Sequence, residues 1–172
     1  MNSPLFPSDE QIRAAKILII DDETADIRVL EWALQKSDFP NFRSLTNPTQ
    51  ARTEFEQYQP DLVLLDLHMP EMDGFAVLKQ LRKSAPAGEF LPVLVITGDT
   101  ASETRTRALE AGASDFLSKP IDYMEVTLRI RNLLQTRLLH QHAQKVQSQL
   151  ETLSAQKNTM IPDSRNSDES GI

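Results

Sequence analysis

A short apolar run that ends on a carboxylate constrains this chain more than any other stretch. Residues 62–65 are all aliphatic, and Asp66 follows them directly. A continuous aliphatic run of this length is typical of a strand that is covered on both faces of a parallel sheet. Such a strand presents its last side chain at the carboxyl edge of the sheet, where open α/β folds bind ligands. The sequence therefore predicts a functional edge around Asp66.

Strand-like and helix-like segments alternate on both sides of this run. Strands are predicted at 16–20, 42–46, 62–66, 92–96 and 114–118, with helical patterns between them and a long helix from about Ile121 onward. This alternation indicates a parallel sheet with helices on both faces. Because right-handed crossovers leave few topologies, we predict an α/β fold with a doubly wound five-stranded parallel sheet in the order 2-1-3-4-5.

One predicted helix, at about 101–111, has little apolar area to bury. Its inner face carries small residues, with one leucine beside them: Ala101, Thr104, Ala108, Ala111 and Leu109. Since burial of apolar surface contributes only about 25 cal/mol per Å², we expect this helix to be the most weakly held in the domain and the easiest to shift.

The chain divides into four predicted parts: an N-terminal extension (1–15), a domain (16–135), a helical extension (136–157) and a disordered tail (158–172).

Apolar residues of the helical extension alternate in steps of four and three, which is a short heptad seam: Leu139, Ala143, Val146, Leu150 and Leu153. Two interpretations stay open, an exposed helix that frays and a parallel coiled coil that joins two subunits. The coiled coil is favoured, because an isolated helix is marginally stable.

Composition excludes several classes of function. The net charge of −7 argues against a nucleic-acid partner, and the absence of cysteine excludes disulfides and thiolate chemistry. No apolar stretch approaches the roughly 18 residues that a membrane span requires. The first 15 residues lack the pattern of a signal peptide. We therefore expect a cytoplasmic protein with no membrane and no nucleic-acid partner.

Polar residues follow four of the predicted strands at the same edge of the sheet: Asp21, Asp22, Asp66, Thr97 and Lys119. Three carboxylates crowded at one place repel each other unless a cation lies between them, and Mg²⁺ prefers such oxygen ligands. The lysine and the threonine add an ammonium and a hydroxyl that can hold the oxygens of a phosphoryl group. Together these are the parts required for phosphoryl transfer onto a carboxylate.

These residues, in this order, resemble the receiver domain of response regulators in bacterial two-component signalling. The resemblance covers about residues 16–135 and rests on five short motifs: Asp21-Asp22, Asp66 with Met69-Pro70 and Met72-Asp73-Gly74, Thr97-Gly98, Phe116, and Lys119-Pro120. It implies a flavodoxin-like fold and a phosphorylation-activated response regulator. The implied partner is a sensor histidine kinase or a phosphotransfer protein.

The resemblance also implies a role for each residue at the edge. Asp66 is expected to be the phosphoacceptor. Mg²⁺ is expected to bind Asp21, Asp22, Asp66 and the backbone carbonyl of His68, whose side chain is expected to tune how long the phosphoryl group lasts. The chain is expected to assist only its own phosphorylation and dephosphorylation, and not to be an enzyme in any wider sense.

Three further residues carry implied roles around the phosphoryl group. Lys119 is expected to pair with it, and Thr97 is expected to hydrogen-bond it and to move toward it. Phe116 matches the aromatic switch position of the family. The bond between Lys119 and Pro120 is expected to be cis, which only X-Pro bonds tolerate at low cost.

Plainer interpretations and other functions compete with this one. Taken singly, Asp21 and Asp22 could cap a helix, Thr97 could be an N-cap, Lys119 a solvated strand end and Phe116 simple core. A haloacid-dehalogenase-type phosphatase also uses a strand-end aspartate, but it needs a second one two residues on, where His68 stands. A further alternative is the regulatory receiver of a larger cyclic-di-nucleotide phosphodiesterase or cyclase, because the helix from Ile121 resembles the extensions that link such domains.

Overall fold

Five parallel strands form one sheet in the order β2-β1-β3-β4-β5, which confirms the predicted topology. The computed structural model describes residues 6–86 and 88–159. The strands are β1 (Ile17–Ile20), β2 (Phe42–Leu45), β3 (Leu62–Leu65), β4 (Val93–Thr97) and β5 (Asp115–Ser118). Strand β2 is less apolar than the others and pairs only with β1, at one edge of the sheet.

Six α-helices surround the sheet in the part of the chain that the structure describes. They are α1 (Asp9–Arg13), α2 (Thr24–Lys36), α3 (Ala51–Tyr58), α4 (Gly74–Ser84), α5 (Ser102–Glu110) and α6 (Tyr123–Thr159). A short 3-10 turn, Pro48–Gln50, precedes α3. Asn47 caps this turn by accepting a hydrogen bond from the Thr49 backbone N–H, and proline follows the cap, a combination that is typical of a helix start.

The alternation of side chains along the strands divides the core into two clusters, one on each face of the sheet. In β1, Ile17 and Ile19 pack with α1, α2 and the first turns of α6. Their neighbours Leu18 and Ile20 pack with α3, α4 and α5. Because both faces are covered, β1 and β3 are apolar throughout, and β4 is apolar up to Thr97 at its end.

The predicted N-terminal extension (1–15) contains a short helix that packs on the domain. Helix α1 begins after Ser8, which forms a capping box with Gln11. Ile12 is buried against the core cluster that contains Val126 of α6. A capped turn with one buried aliphatic residue is enough to dock this segment. Residues 1–5 of the predicted extension lie outside the described residues.

Helix α5 is held by little apolar contact, as predicted from its small residues. Ala108 is its buried residue, and Leu109 is 43% exposed. Gly112 follows the helix with φ of +103°, a conformation that favours glycine and ends the segment. The expectation that α5 is weakly held therefore agrees with the packing.

Helix α6 runs for 37 residues and leaves the domain part-way along its length. Val126, Ile130 and Leu134 are buried against the sheet, whereas Leu150 and Leu153 are each 62% exposed. The helix continues through Thr159, two residues into the predicted tail, and the rest of that tail lies outside the described residues. In the part of the chain that the structure describes, no helix combines the length and apolarity of a membrane span.

Candidate functional site

The three predicted carboxylates meet at the carboxyl edge of β1 and β3. Carboxylate oxygens of Asp21, Asp22 and Asp66 all lie within 4.8 Å of one another. Asp21 and Asp66 are buried, and Asp22 is half-buried. Because β1 and β3 are adjacent and in register, with Ile20 opposite Leu65, the residues that follow them lie side by side.

The arrangement of these carboxylates suits a divalent cation. Oδ1 of Asp22 is buried and is the one buried side-chain oxygen or nitrogen without a hydrogen-bond partner among the described residues. A buried carboxylate oxygen without a partner costs free energy, which a bound cation would offset. The all-oxygen donor set is the kind that Mg²⁺ prefers. The residues present therefore fit the predicted metal.

Lys119 lies among the carboxylates and pairs with three of them. Its Nζ is 2.6 Å from Oδ2 of Asp26, 2.9 Å from Oδ2 of Asp21 and 3.4 Å from Oδ2 of Asp66. The predictions from sequence missed Asp26. A signal was present, because an acid in the first turn of the helix after β1 leans back toward the strand end.

Burial and ion pairing act against each other on the charged groups. Burial would lower the pKa of Lys119, but its hydrogen bonds to Asp26 and Asp21 raise that pKa above its ordinary value. Burial raises the pKa of Asp21 above its ordinary value, although hydrogen bonds from Lys119 and from the Glu23 backbone N–H oppose the rise. The lysine is therefore held charged, and the carboxylate is short of compensating positive charge.

Thr97 lies at the end of β4, fully buried, and its hydroxyl contacts His68. The distance between Oγ1 of Thr97 and Nδ1 of His68 is 2.8 Å. Nε2 of His68 lies 3.9 Å from Oδ2 of Asp99, which also accepts a hydrogen bond from the Thr104 hydroxyl. The loop after β3 is thus joined to the loop after β4 and to α5. The sequence indicated His68 and Thr97 separately but not their contact.

The backbone around the phosphoacceptor candidate is tightly packed. The His68 backbone N–H donates to Oδ1 of Asp66 at 3.3 Å, and the Gly74 N–H donates to the Leu67 carbonyl. A Cβ at Gly74 would lie 2.5 Å from the Cα of Leu67 and closer still to the Asp66 carbonyl oxygen. Only glycine fits where α4 begins against this loop.

The two remaining site residues lie on β5 and just after it. Phe116 is 6% exposed and belongs to the core cluster that also contains Ala108 of α5 and Val95 of β4. The peptide bond between Lys119 and Pro120 is cis. The structure therefore groups Asp21, Asp22 and Asp66 within 4.8 Å of one another and pairs Lys119 with Asp21 and Asp66. It also joins Thr97 to His68 and places Phe116 beneath α5. An open pocket above them is lined by Asp66, His68, Gly98, Asp99 and Lys119.

Comparisons with known proteins agree with this geometry. The family model for the response regulator receiver domain matches residues 17–131. The response regulator PleD of Caulobacter vibrioides is 39% identical over 126 residues, which are 73% of this chain and 27% of that protein. The transcriptional regulatory protein KdpE of Staphylococcus aureus is 34% identical over 127 residues, which are 74% of this chain and 53% of that protein. The chain thus spans between a quarter and about half of the length of these relatives.

Solved structures show the same fold. The BeF3-activated N-terminal receiver domain of RstA from Klebsiella pneumoniae superposes with a TM-score of 0.63 at 26% identity. The superposition covers 69% of this chain and 97% of the RstA chain. A CheY-like response regulator receiver domain protein from Methanospirillum hungatei JF-1 gives a TM-score of 0.65 at 23% identity, and covers 72% of this chain and 96% of that one.

Proposed function

The chain belongs to the response-regulator receiver family, and on this premise we propose that it is a phosphorylation-activated switch that takes a phosphoryl group on Asp66. One observation carries the proposal. The Asp66 carboxylate, 4% exposed at the end of β3, lies with two further carboxylates within 4.8 Å and an ammonium at 3.4 Å. A nucleophilic carboxylate, an acidic cation site and a lysine are the parts that phosphoryl transfer requires.

In the proposed step, an oxygen of the Asp66 carboxylate attacks the phosphorus of the donor. A P–O bond forms, and the bond from phosphorus to the leaving group breaks. With a phosphohistidine of a sensor histidine kinase or a phosphotransfer protein, the P–N bond breaks, and the imidazole keeps the electron pair and takes a proton from solvent. With acetyl phosphate, a P–O bond breaks and acetate leaves. Lys119 neutralises charge on the transferred oxygens.

Asp21, Asp22 and Asp66, with the predicted backbone carbonyl of His68, would hold Mg²⁺. When bound, the ion would supply positive charge against the phosphoryl oxygens and the crowded carboxylates. Asp22 supports the assignment, because its buried Oδ1 lacks a protein partner.

The switch itself would act through Thr97, Phe116 and α5. A phosphoryl group adds about two negative charges at Asp66, and the Thr97 hydroxyl is a donor for its oxygens. To move toward them, Thr97 has to release Nδ1 of His68. Helix α5 is able to follow at small cost, because it buries little beyond Ala108. Phe116 packs in the same cluster as Ala108, so a movement of α5 would change the space that is available to the phenyl ring.

Replacement of Asp66 with Asn tests the proposal. Acetyl phosphate labelled with ³²P should label the wild-type chain in the presence of Mg²⁺ and should not label Asp66→Asn. Asp73→Asn is a matched control, because this exposed residue is the N-cap of α4 and asparagine caps as well as aspartate. Labelling of the Asp66 variant at the wild-type rate would contradict the assignment.

We propose further that two chains pair through the carboxyl-terminal part of α6. The seam residues Val146, Leu150 and Leu153 are 41%, 62% and 62% exposed in a single chain, and a second copy would cover them. Arg137 attaches α6 to the domain near the start of this part, since it pairs with Glu89 at 2.9 Å and donates to the Phe90 carbonyl at 2.7 Å. Pairing would therefore transmit changes in the domain along α6.

His140 supports the same attachment of α6 to the domain. Its Nε2 lies 3.0 Å from the Gly88 carbonyl oxygen, and its ring meets the Phe90 ring edge-on. Gln144 donates to the same carbonyl. Sedimentation with and without beryllofluoride and Mg²⁺ tests the dimer, with Leu150→Glu as the seam variant. A wild-type chain that is monomeric under both conditions would refute pairing.

The competing functions have less support. At the position where a haloacid-dehalogenase-type phosphatase needs its second aspartate, His68 contacts Thr97 instead. We propose no turnover beyond the chain's own phosphorylation and dephosphorylation, so steady release of phosphate from a small phosphomonoester would contradict this view. Regulation of a cyclic-di-nucleotide output domain stays an alternative hypothesis. The cytoplasmic location and the absence of a nucleic-acid partner stay predictions.

A further inference from the structure

Asp26 is an acidic residue of this site that is neither the proposed phosphoacceptor nor a member of the cluster of Asp21, Asp22 and Asp66. It lies in the first turn of α2, and its side chain is 32% exposed. Its Oδ2 makes the shortest of the three ion pairs of Lys119, at 2.6 Å against 2.9 Å to Asp21 and 3.4 Å to Asp66. The ammonium is therefore held most closely by a carboxylate outside the cluster of Asp21, Asp22 and Asp66.

A plainer interpretation is that Asp26 only stabilises the positive end of the α2 dipole. That interpretation accounts for an acid in the first turn, but it requires no contact with Lys119. The side chain of Lys119 is only 17% exposed, so its ion pairs are weakly screened by solvent and salt. An interaction of this kind affects where the ammonium lies, and not only how stable α2 is.

We propose that Asp26 is a positioning residue that holds the Lys119 ammonium back from the phosphoacceptor. The inference rests on the proposed function of Asp66. To contact the oxygens of a phosphoryl group on Asp66, the ammonium has to loosen its short ion pair with Asp26. The Asp26 carboxylate and the phosphoryl group therefore compete for one cation, and Asp26 sets how readily the site accepts a phosphoryl group.

The variant that isolates this competition is Asp26→Asn, which keeps the shape of the side chain and removes its charge. It should raise both the rate of labelling by acetyl phosphate and the affinity for beryllofluoride with Mg²⁺, each by about threefold to tenfold, the range expected for the loss of one partly buried ion pair. Asp26→Glu restores the carboxylate and should return both values toward those of the wild type. A purely structural role would change the melting temperature and leave both values unchanged.

Glu23→Gln is the matched control for charge. Glu23 is exposed, lies on the turn before Asp26, makes no side-chain cap hydrogen bond and is not among the ion-pair partners of Lys119 in the described residues. Its neutralisation should leave the labelling rate and the beryllofluoride affinity within about twofold of the wild type, because an exposed charge is largely screened. An increase as large as that of Asp26→Asn would mean that any lost negative charge is sufficient, and would overturn the positioning role.

A measurement without metal or phosphodonor examines the lysine directly. In buffer with a chelator, the ¹⁵Nζ resonance of Lys119, assigned by its loss in Lys119→Arg, should shift in Asp26→Asn and not in Glu23→Gln.

The possible failures are distinguishable. Labelling of Asp66→Asn would overturn the proposed function itself. Loss of labelling in Asp66→Asn, together with wild-type labelling rate and affinity in Asp26→Asn, would leave that function standing and refute the role of Asp26.

Discussion

Among the described glycines, Gly74 leaves the least room for an added methyl group. The added Cβ of Gly74→Ala would lie 2.5 Å from the Cα of Leu67 and closer to the Asp66 carbonyl oxygen, whereas non-bonded carbons prefer about 3.5–4.0 Å. Both neighbours are backbone atoms, so no side-chain rotation relieves the overlap. Either the loop after β3 or the start of α4 has to move by about an ångström.

The magnitude follows from two opposed effects. Overpacking costs about 1–3 kcal/mol, and the upper end applies because the contacts are with backbone. Replacement of glycine restores about 0.4–1 kcal/mol through the unfolded state. We therefore expect the free energy of unfolding to fall by about 2 kcal/mol, which lowers the melting temperature by about 4–8 °C for a chain of this size.

The assay is thermal unfolding of Gly74→Ala beside Gly98→Ala, with labelling by acetyl phosphate as a second measurement. Gly98 is the control, because a Cβ there would meet no atom within 4 Å and its φ lies outside the left-handed region. Gly98→Ala should unfold at the wild-type temperature or slightly above it. Labelling of Gly74→Ala should slow, because the overlap displaces the backbone of Asp66. Equal melting temperatures for the two variants would contradict the predicted backbone overlap at Gly74.

Three further predictions concern the metal, the long helix and α5. Mg²⁺ should raise the melting temperature of the wild type, by the equivalent of about 2.7 kcal/mol at a hundredfold excess over Kd, and Asp22→Ala should lose this response; an unchanged response would contradict the metal assignment. Arg137→Met should cost about 1–3 kcal/mol of unfolding free energy, because the Phe90 carbonyl and the Glu89 carboxylate lose their partner. Arg131→Met, which removes an exposed pair with Asp9, should stay within about 0.5 kcal/mol, and similar losses for both would show that burial of Arg137 does not matter. Amide hydrogen exchange should find the amides of α5 opening more readily than those of α2, because α2 buries four side chains and α5 one; greater protection of α5 would contradict its role as the movable helix.

Much of the fold could be predicted because the relevant signals are local. The aliphatic runs of β1, β3 and β4 and the helical spacing between them indicate a parallel sheet, and right-handed crossovers then favour the strand order 2-1-3-4-5. Because parallel strands share a carboxyl edge, the same strand assignment predicts that Asp21, Asp66 and Lys119 lie close together. The amino-terminal helix was harder to predict, because docking of α1 depends on one residue, Ile12, and on a surface of α6 that is far away in sequence.

The local sequence thus specifies which residues lie at the strand ends, and so where the site is. The contacts of those residues follow only from the packed fold: Lys119 with Asp26, Thr97 with His68, and Gly74 against the backbone of Asp66. The two kinds of information differ in range. Strand and helix patterns arise from neighbours along the chain, whereas an ion pair or a backbone contact depends on distances of a few ångströms between segments that only the packed fold brings together.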